Sequence, residues 1–183
     1  TRLYDSGIRT PFLIARPGTI KPAVTDSLIS SIDVSATILE LAGAKKDKRI
    51  QGVSFTSVLR EPQSKIRDFV FAEHNWHVYQ AHERMVRFGN FLYIRNNFPN
   101  QLNLSYESDD RTPAGAELWG AHAAGKTNPK QYQIFANPCP PEELFHVKQD
   151  PHQLTNLADD PEHGKTLQRA RALITKWAKQ TGD

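Results

Sequence analysis

Cysteine is almost missing from this 183-residue chain. Cys139 stands alone, which excludes an intrachain disulfide. No apolar run approaches the roughly 20 residues that a bilayer-spanning helix needs, so the sequence offers no membrane span. The opening residues, Thr1-Arg2-Leu3-Tyr4-Asp5, lack any apolar stretch of the signal-peptide kind. Charge of one sign is scarce too, with a formal net charge of +3 at pH 7. The densest basic run, Lys45-Lys46-Asp47-Lys48-Arg49, has no zinc-finger spacing or aromatic RNA-binding motif beside it. It reads as a solvated linker or as an attractor of polyanions, sulfated glycans included. Nucleic acid is not an expected partner.

What is present is the composition of an ordered chain, 38% hydrophobic and 23% charged. Its length suits one substantial core, or a small domain plus a piece of another. Phe12-Leu13-Ile14-Ala15, between Pro11 and Pro17-Gly18, predicts a short buried strand, and residues 27–32 predict another. Asp33 is placed to cap a helix with Val34, Ile38, Leu41 and Ala42 at helical spacing, stopped by Gly43. The polar stretch Glu61-Pro62-Gln63-Ser64 is the best boundary in the chain. Beyond it, residues 68–73 predict a strand, and Gly89-Asn90 joins two apolar runs as a hairpin turn. Residues 99–141 form a long insert rich in Pro, Asn and Gly, with helical patches near 116–124 and after Pro129. A strand returns at 143–147, and a helix over about 161–180 carries Leu167, Ala170, Ile174 and Trp177 on one face. The pattern is α+β, with residues 1–60 as one part and residues 61–183 as an antiparallel sheet with a packed C-terminal helix.

Four blocks, in order, carry a family resemblance. Residues 3–18, running Leu-Tyr-Asp-Ser-Gly-Ile-Arg-Thr-Pro into the first apolar run, resemble a late segment of the type I sulfatase catalytic domain. Residues 28–43, ending in Leu41-Ala42-Gly43, and then Gln51-Gly52-Val53-Ser54-Phe55, are similar to the blocks that come next in that family. Glu143-Leu144-Phe145-His146 with Asp150-Pro151-His152 and Asn156-Leu157-Ala158 resembles its C-terminal signature. Glu73-His74-Asn75-Trp76-His77 and Lys176-Trp177 are most like the sulfamidase, or heparan N-sulfatase, branch. Two positions depart from the signature: Phe145-His146 replaces Tyr-Asp, and Gln153 replaces an acidic residue.

The resemblance implies the tail of an alkaline-phosphatase-like α/β catalytic domain over residues 1–60, followed by the small sheet subdomain. It implies hydrolysis of a sulfate ester or sulfamate on a glycan, heparan-type glycosaminoglycan favoured, in a periplasmic or secreted setting. The formylglycine nucleophile and the Ca²⁺ ion of such enzymes are expected in an N-terminal catalytic portion, the partner of this chain, and no cofactor or metal is expected on these residues. Cys139 lies in Asn137-Pro138-Cys139-Pro140-Pro141-Glu142-Glu143, where the family's formylglycine motif requires an Arg at the place of Glu143. No catalytic residue is therefore assigned, and the chain alone is expected to be inactive. Asp109-Asp110 lacks the buried strand that a metal motif needs and reads as a turn. Thr1 to Arg9 are expected at the edge of the sulfate pocket.

His74, Trp76, His77 and Arg84 are the candidate substrate residues, on a loop leading into a strand. An indole face suits a pyranose ring, and His and Arg can donate to hydroxyl, carboxylate or sulfate groups. Ordinary packing of loop and sheet is the alternative for these side chains. At the level of function, a phosphoesterase or phosphonate hydrolase of the same superfamily and a non-catalytic glycan-binding module compete with the sulfatase reading.

Overall fold

The computed structural model describes residues 2–77, 80–101 and 110–183. Thr1, Asp109 and much of the early insert thus lie outside the described residues. The elements run α1 (Asp5–Ile8), α2 (Asp33–Leu41), α3 (Thr56–Arg60), β1 (Phe69–Trp76), β2 (Gln80–Phe88), β3 (Phe91–Asn96), α4 (Pro113–Ala123), α5 (Pro129–Tyr132), β4 (Glu142–His146) and α6 (Gly164–Thr181). The class is α+β, as the sequence pattern predicts. Two compact units divide the chain. Residues 10–71 form one, and residues 1–9 join 72–183 in the other. The break falls past the polar boundary at 61–64, and the first nine residues belong with the sheet, not with the first unit.

The larger unit is built on a four-stranded sheet in the order β1-β2-β3-β4. β2 and β3 are antiparallel around the Gly89-Asn90 turn, with Phe88 opposite Phe91 and Met85 opposite Ile94. β3 and β4 are antiparallel with Leu92 opposite Phe145 and Ile94 opposite Glu143. Alternation along each strand sends successive side chains to opposite faces. One face carries Met85, Leu92, Ile94, Phe145 and Val147, which cluster with Leu3 and are flanked by Tyr4, Ile8 and Ala72. The N-terminal segment therefore covers that face. Gly7 permits this fold-back of the chain, because a Cβ there would lie 2.1 Å from the Arg2 carbonyl oxygen. The opposite face meets α6, whose Leu167, Ala170 and Ile174 are buried. Arg169 lies over the Phe88 ring and Arg171 bonds Glu142 on that side.

The C-terminal signature works as a clip for β4. Asn156 accepts from the Leu144 amide and donates to the Glu142 carbonyl, and Asp150 accepts from the amides of Leu154 and Thr155. The departures from that signature are structural. Phe145 is buried edge-on against Tyr4, and Gln153 Oε1 accepts from the Asp5 amide at 2.9 Å, so it ties α1 to the clip.

In the smaller unit the predicted strands at 12–15 and 27–32 are absent. A strand needs a ladder partner for its amides and carbonyls, and none is at hand among the described residues. Phe12, Leu13 and Val24 stand exposed, Leu13 at 95%. α2 forms, but Asp33 does not cap it. Its buried carboxylate accepts from the amides of Ser30 and Val53, both at 2.8 Å, and pairs with Arg67. Ala36 and Thr37 face inward, whereas Ile38 and Leu41, two of the helically spaced residues, are exposed. Gly52 is forced by the same packing, since a Cβ would sit 2.0 Å from the Ile32 carbonyl oxygen.

Candidate functional site

The four predicted substrate residues lie on strands, not on a loop. His74 and Trp76 belong to β1, His77 comes directly after it, and Arg84 is in β2. β1 runs three residues beyond its predicted end, because β2 supplies a partner for the polar stretch 74–76. His74 Nδ1 lies 2.8 Å from Glu83 Oε2, on the face that the N-terminal segment covers. Arg84, the neighbour of Glu83, projects to the opposite face. Two strand faces thus separate His74 from Arg84.

Arg84 is 2% exposed. Its Nε donates to Asp183 at 2.6 Å, Nη1 donates to Asn75 Oδ1 and to the Glu83 carbonyl, and Nη2 donates to Asp183 and faces His82. The Asp183 carboxylate holds the guanidinium charged, and Arg84 in turn holds that carboxyl below its ordinary range. A guanidinium has five donors in a fixed fork. With those donors engaged inside the fold, Arg84 joins β1, β2 and the end of α6 instead of facing a ligand. Trp76 is 67% exposed and His77 is also exposed, so these two are the members of the group open to solvent.

A second cluster has no counterpart in the sequence reading. Arg2 Nη1 meets Glu83 Oε1 at 2.8 Å, and the Tyr4 hydroxyl donates to both carboxylate oxygens of Glu143 at 2.9 and 3.1 Å. His74 Nε2 is buried without a hydrogen-bond partner among the described residues. Burial pushes the Glu143 carboxyl up to about 7, with the Tyr4 bond acting the other way and Glu83 adding to the rise. Arg2 and Glu83 lie 81 positions apart, so no local pattern announces the pair. The one available signal was Gln153, a departure from the family signature that proves to hold the same N-terminal segment.

Among the described residues no three or more of His, Cys, Asp and Glu are grouped to hold a metal ion. Cys139 is 2% exposed, accepts from Asn96 Nδ2, and burial raises its thiol above the ordinary range. A buried, protonated thiol is a poor nucleophile. No helix of the described residues is long and apolar enough to cross a membrane.

Comparison with known proteins accounts for the blocks. The chain is 35% identical over 184 aligned residues to an ulvan-active sulfatase of Formosa agariphila, across 99% of this chain and 30% of that protein. It is 27% identical to a Δ4,5-hexuronate-2-O-sulfatase of Bacteroides thetaiotaomicron, across 98% of this chain and 30% of that protein. Among solved structures a 2-O GAG sulfatase shares the fold, at 22% identity and a TM-score of 0.52 over 82% of this chain and 25% of that one. The chain thus spans about a third of the length of the relatives it matches. The family described as N-sulphoglucosamine sulphohydrolase, C-terminal, matches residues 1–102, and this chain belongs to that sulfatase family.

Proposed function

We propose that this chain is the C-terminal portion of a sulfatase that hydrolyses sulfate esters or sulfamates on a glycan. The carrying observation is the family match over residues 1–102, joined to identity that runs along 99% of the chain but 30% of the sulfatase from Formosa. A preceding portion would supply the formylglycine nucleophile and the Ca²⁺ site. The exposed Phe12, Leu13, Ile38 and Leu41 support the same reading, as they suit a surface that another part of the protein covers. A periplasmic or secreted location goes with a polymeric glycan substrate.

The relatives' names give different substrates, ulvan for one and a Δ4,5-hexuronate for another, and heparan-type glycosaminoglycan is proposed on the branch resemblance. Within this chain, Trp76 and His77 are the proposed glycan contacts, the first as a stacking face and the second as a donor. His74 is oriented by Glu83, and Arg84 acts as an anchor for the strands that present them.

The test compares the 183-residue chain with the protein carrying its natural preceding residues, on an aryl sulfate and on sulfated oligosaccharides. Sulfate release by the longer protein and none by the chain is the expected result. Activity of the purified chain that is lost in Cys139→Ala would overturn the proposal. Release of phosphate or phosphonate in preference to sulfate would move the protein to the sister phosphoesterases.

A further inference from the structure

We propose that the outward face of α6 is a docking track for a sulfated polysaccharide chain, formed by Lys165, Arg169, Lys176 and Lys179. The choice of a glycan as occupant rests on the sulfatase reading, whereas the anionic character of the partner rests on the helix itself.

The track follows from spacing. The buried Leu167, Ala170 and Ile174 fix which side of α6 meets the sheet. At about 3.6 residues per turn, Lys165, Arg169, Ala172, Lys176 and Lys179 fall within an arc of about 80° on the opposite side. All five are exposed. A rise of about 1.5 Å per residue sets Lys165 and Lys179 about 21 Å apart along the axis. The neutral polar side chains of Gln168 and Thr175 flank the stripe. α6 contains no acidic residue, and Arg171 is the only cation of the helix with a carboxylate partner among the described residues. Asp159, Asp160 and Glu162 come before the helix, and Asp183 beyond it is held by Arg84.

This arrangement works against the helix. Lys165 and Arg169, and again Lys176 and Lys179, are like charges one turn apart, which is unfavourable. Lys165 stands in the first turn, where the helix dipole disfavours a cation. Gln has nearly the helix propensity of Lys and Arg, so neutral side chains would serve the fold better. An anionic partner offsets that cost. An anionic membrane does not suit the face, because the apolar side of α6 is buried on the sheet and Ala172 is the only apolar residue in the outward arc. Unpaired nucleic acid does not suit it either, since the arc offers no aromatic ring for base stacking. A sulfated polysaccharide needs only cations at intervals along a line, with neutral donors beside them for its hydroxyl groups.

The track also leads toward the proposed glycan contacts. At its start Arg169 lies over Phe88, and His163 meets Phe91, both at the hairpin. At its end Asp183 holds Arg84, which bonds Asn75, the residue before Trp76. A polymer held on the track and at Trp76 and His77 is bound at two places, which favours long chains over short ones.

The test is binding of the 183-residue chain to heparin, dextran sulfate and uncharged dextran. A stripe variant combines Lys165→Gln, Arg169→Gln, Lys176→Gln and Lys179→Gln. A control variant removes four other exposed cations through Lys45→Gln, Lys48→Gln, Lys65→Gln and Lys130→Gln, so both lose the same charge. Wild type should bind both sulfated polymers and not dextran, and should weaken roughly ten- to fiftyfold between about 50 and 200 mM salt. The stripe variant should lose about tenfold or more in affinity and most of the salt dependence, with its Tm unchanged or raised. The control should lose less than about threefold. Equal losses in the two variants, or none in the stripe variant, would overturn the proposal. So would tighter, stripe-dependent binding to duplex DNA or to phosphatidylserine vesicles. In the longer protein the stripe variant should raise KM for a sulfated polymer about tenfold and leave a sulfated disaccharide unchanged. An unchanged KM for the polymer would also refute the track. No sulfate release from any substrate by the longer protein would instead sink the sulfatase reading, with the binding result still deciding the track.

Discussion

Replacing Arg84 by Ala separates an anchor from a ligand group. The substitution removes two bonds to the Asp183 carboxylate, one to Asn75 Oδ1 and one to the Glu83 carbonyl. Removing one partner of a buried ion pair costs about 3–5 kcal/mol when the other charge is left stranded. Asp183 is not fully stranded, because its side chain keeps 17% exposure and can turn to water. The expected loss therefore sits at or below the lower end, about 2–3 kcal/mol. For a chain of this length each kcal/mol moves the melting temperature by roughly 2–4 °C, so Tm should fall by about 4–12 °C. Differential scanning calorimetry on the 183-residue chain reads this directly. Asp183→Asn should cost less, and the double variant should cost no more than Arg84→Ala alone, since both changes remove one interaction. An unchanged Tm in Arg84→Ala, with a raised KM for glycan in the longer protein, would refute the anchor role and restore Arg84 as a substrate residue.

Trp76→Ala and His77→Ala in the longer protein should lower kcat/KM on a sulfated oligosaccharide by about ten- to a hundredfold, some 1–3 kcal/mol, and leave an aryl sulfate nearly untouched. Equal losses on both substrates would place these side chains outside the glycan subsite. Gly52→Ala should destabilise residues 10–71, because its Cβ meets backbone oxygen that cannot move independently. Limited proteolysis should then cut that unit earlier while the sheet persists, and an unchanged digestion pattern would contradict the packing. Acid should loosen α6 from the sheet. Arg84 holds Asp183, and Arg171 holds Glu142, below the ordinary carboxylate range. Depressed carboxyl groups stabilise the fold above their unfolded values near pH 4, and that contribution is lost as pH falls through the lower folded values. Trp177 fluorescence should report the loss, and the double variant Asp183→Asn, Glu142→Gln should show a weaker acid transition.

Much of the sheet unit was legible because its signals are local. The Gly89-Asn90 turn between two apolar runs specified the hairpin, and the spacing of Leu167, Ala170 and Ile174 specified α6 and its buried face. Family blocks, each a short run of neighbouring residues, identified the sulfatase relationship without any coordinates. The strands predicted at 12–15 and 27–32 failed for a physical reason. Apolar runs record that a segment is to be buried, but a strand forms only where a neighbouring backbone completes its hydrogen bonds. The candidate site was read as one loop, and the structure spreads its residues over two strands. His74 and Arg84 are close in sequence, yet the pleat of β1 and β2 sends one to the segment side and the other to α6. The sequence by itself determined the class of fold, the hairpin, the last helix and the family. Tertiary structure alone decided that Arg2 and Tyr4 would reach Glu83 and Glu143, and that Asp183 would close on Arg84 across 99 positions. Such pairs arise from where the chain returns in space, and charge matching over that separation leaves no periodic mark in the sequence.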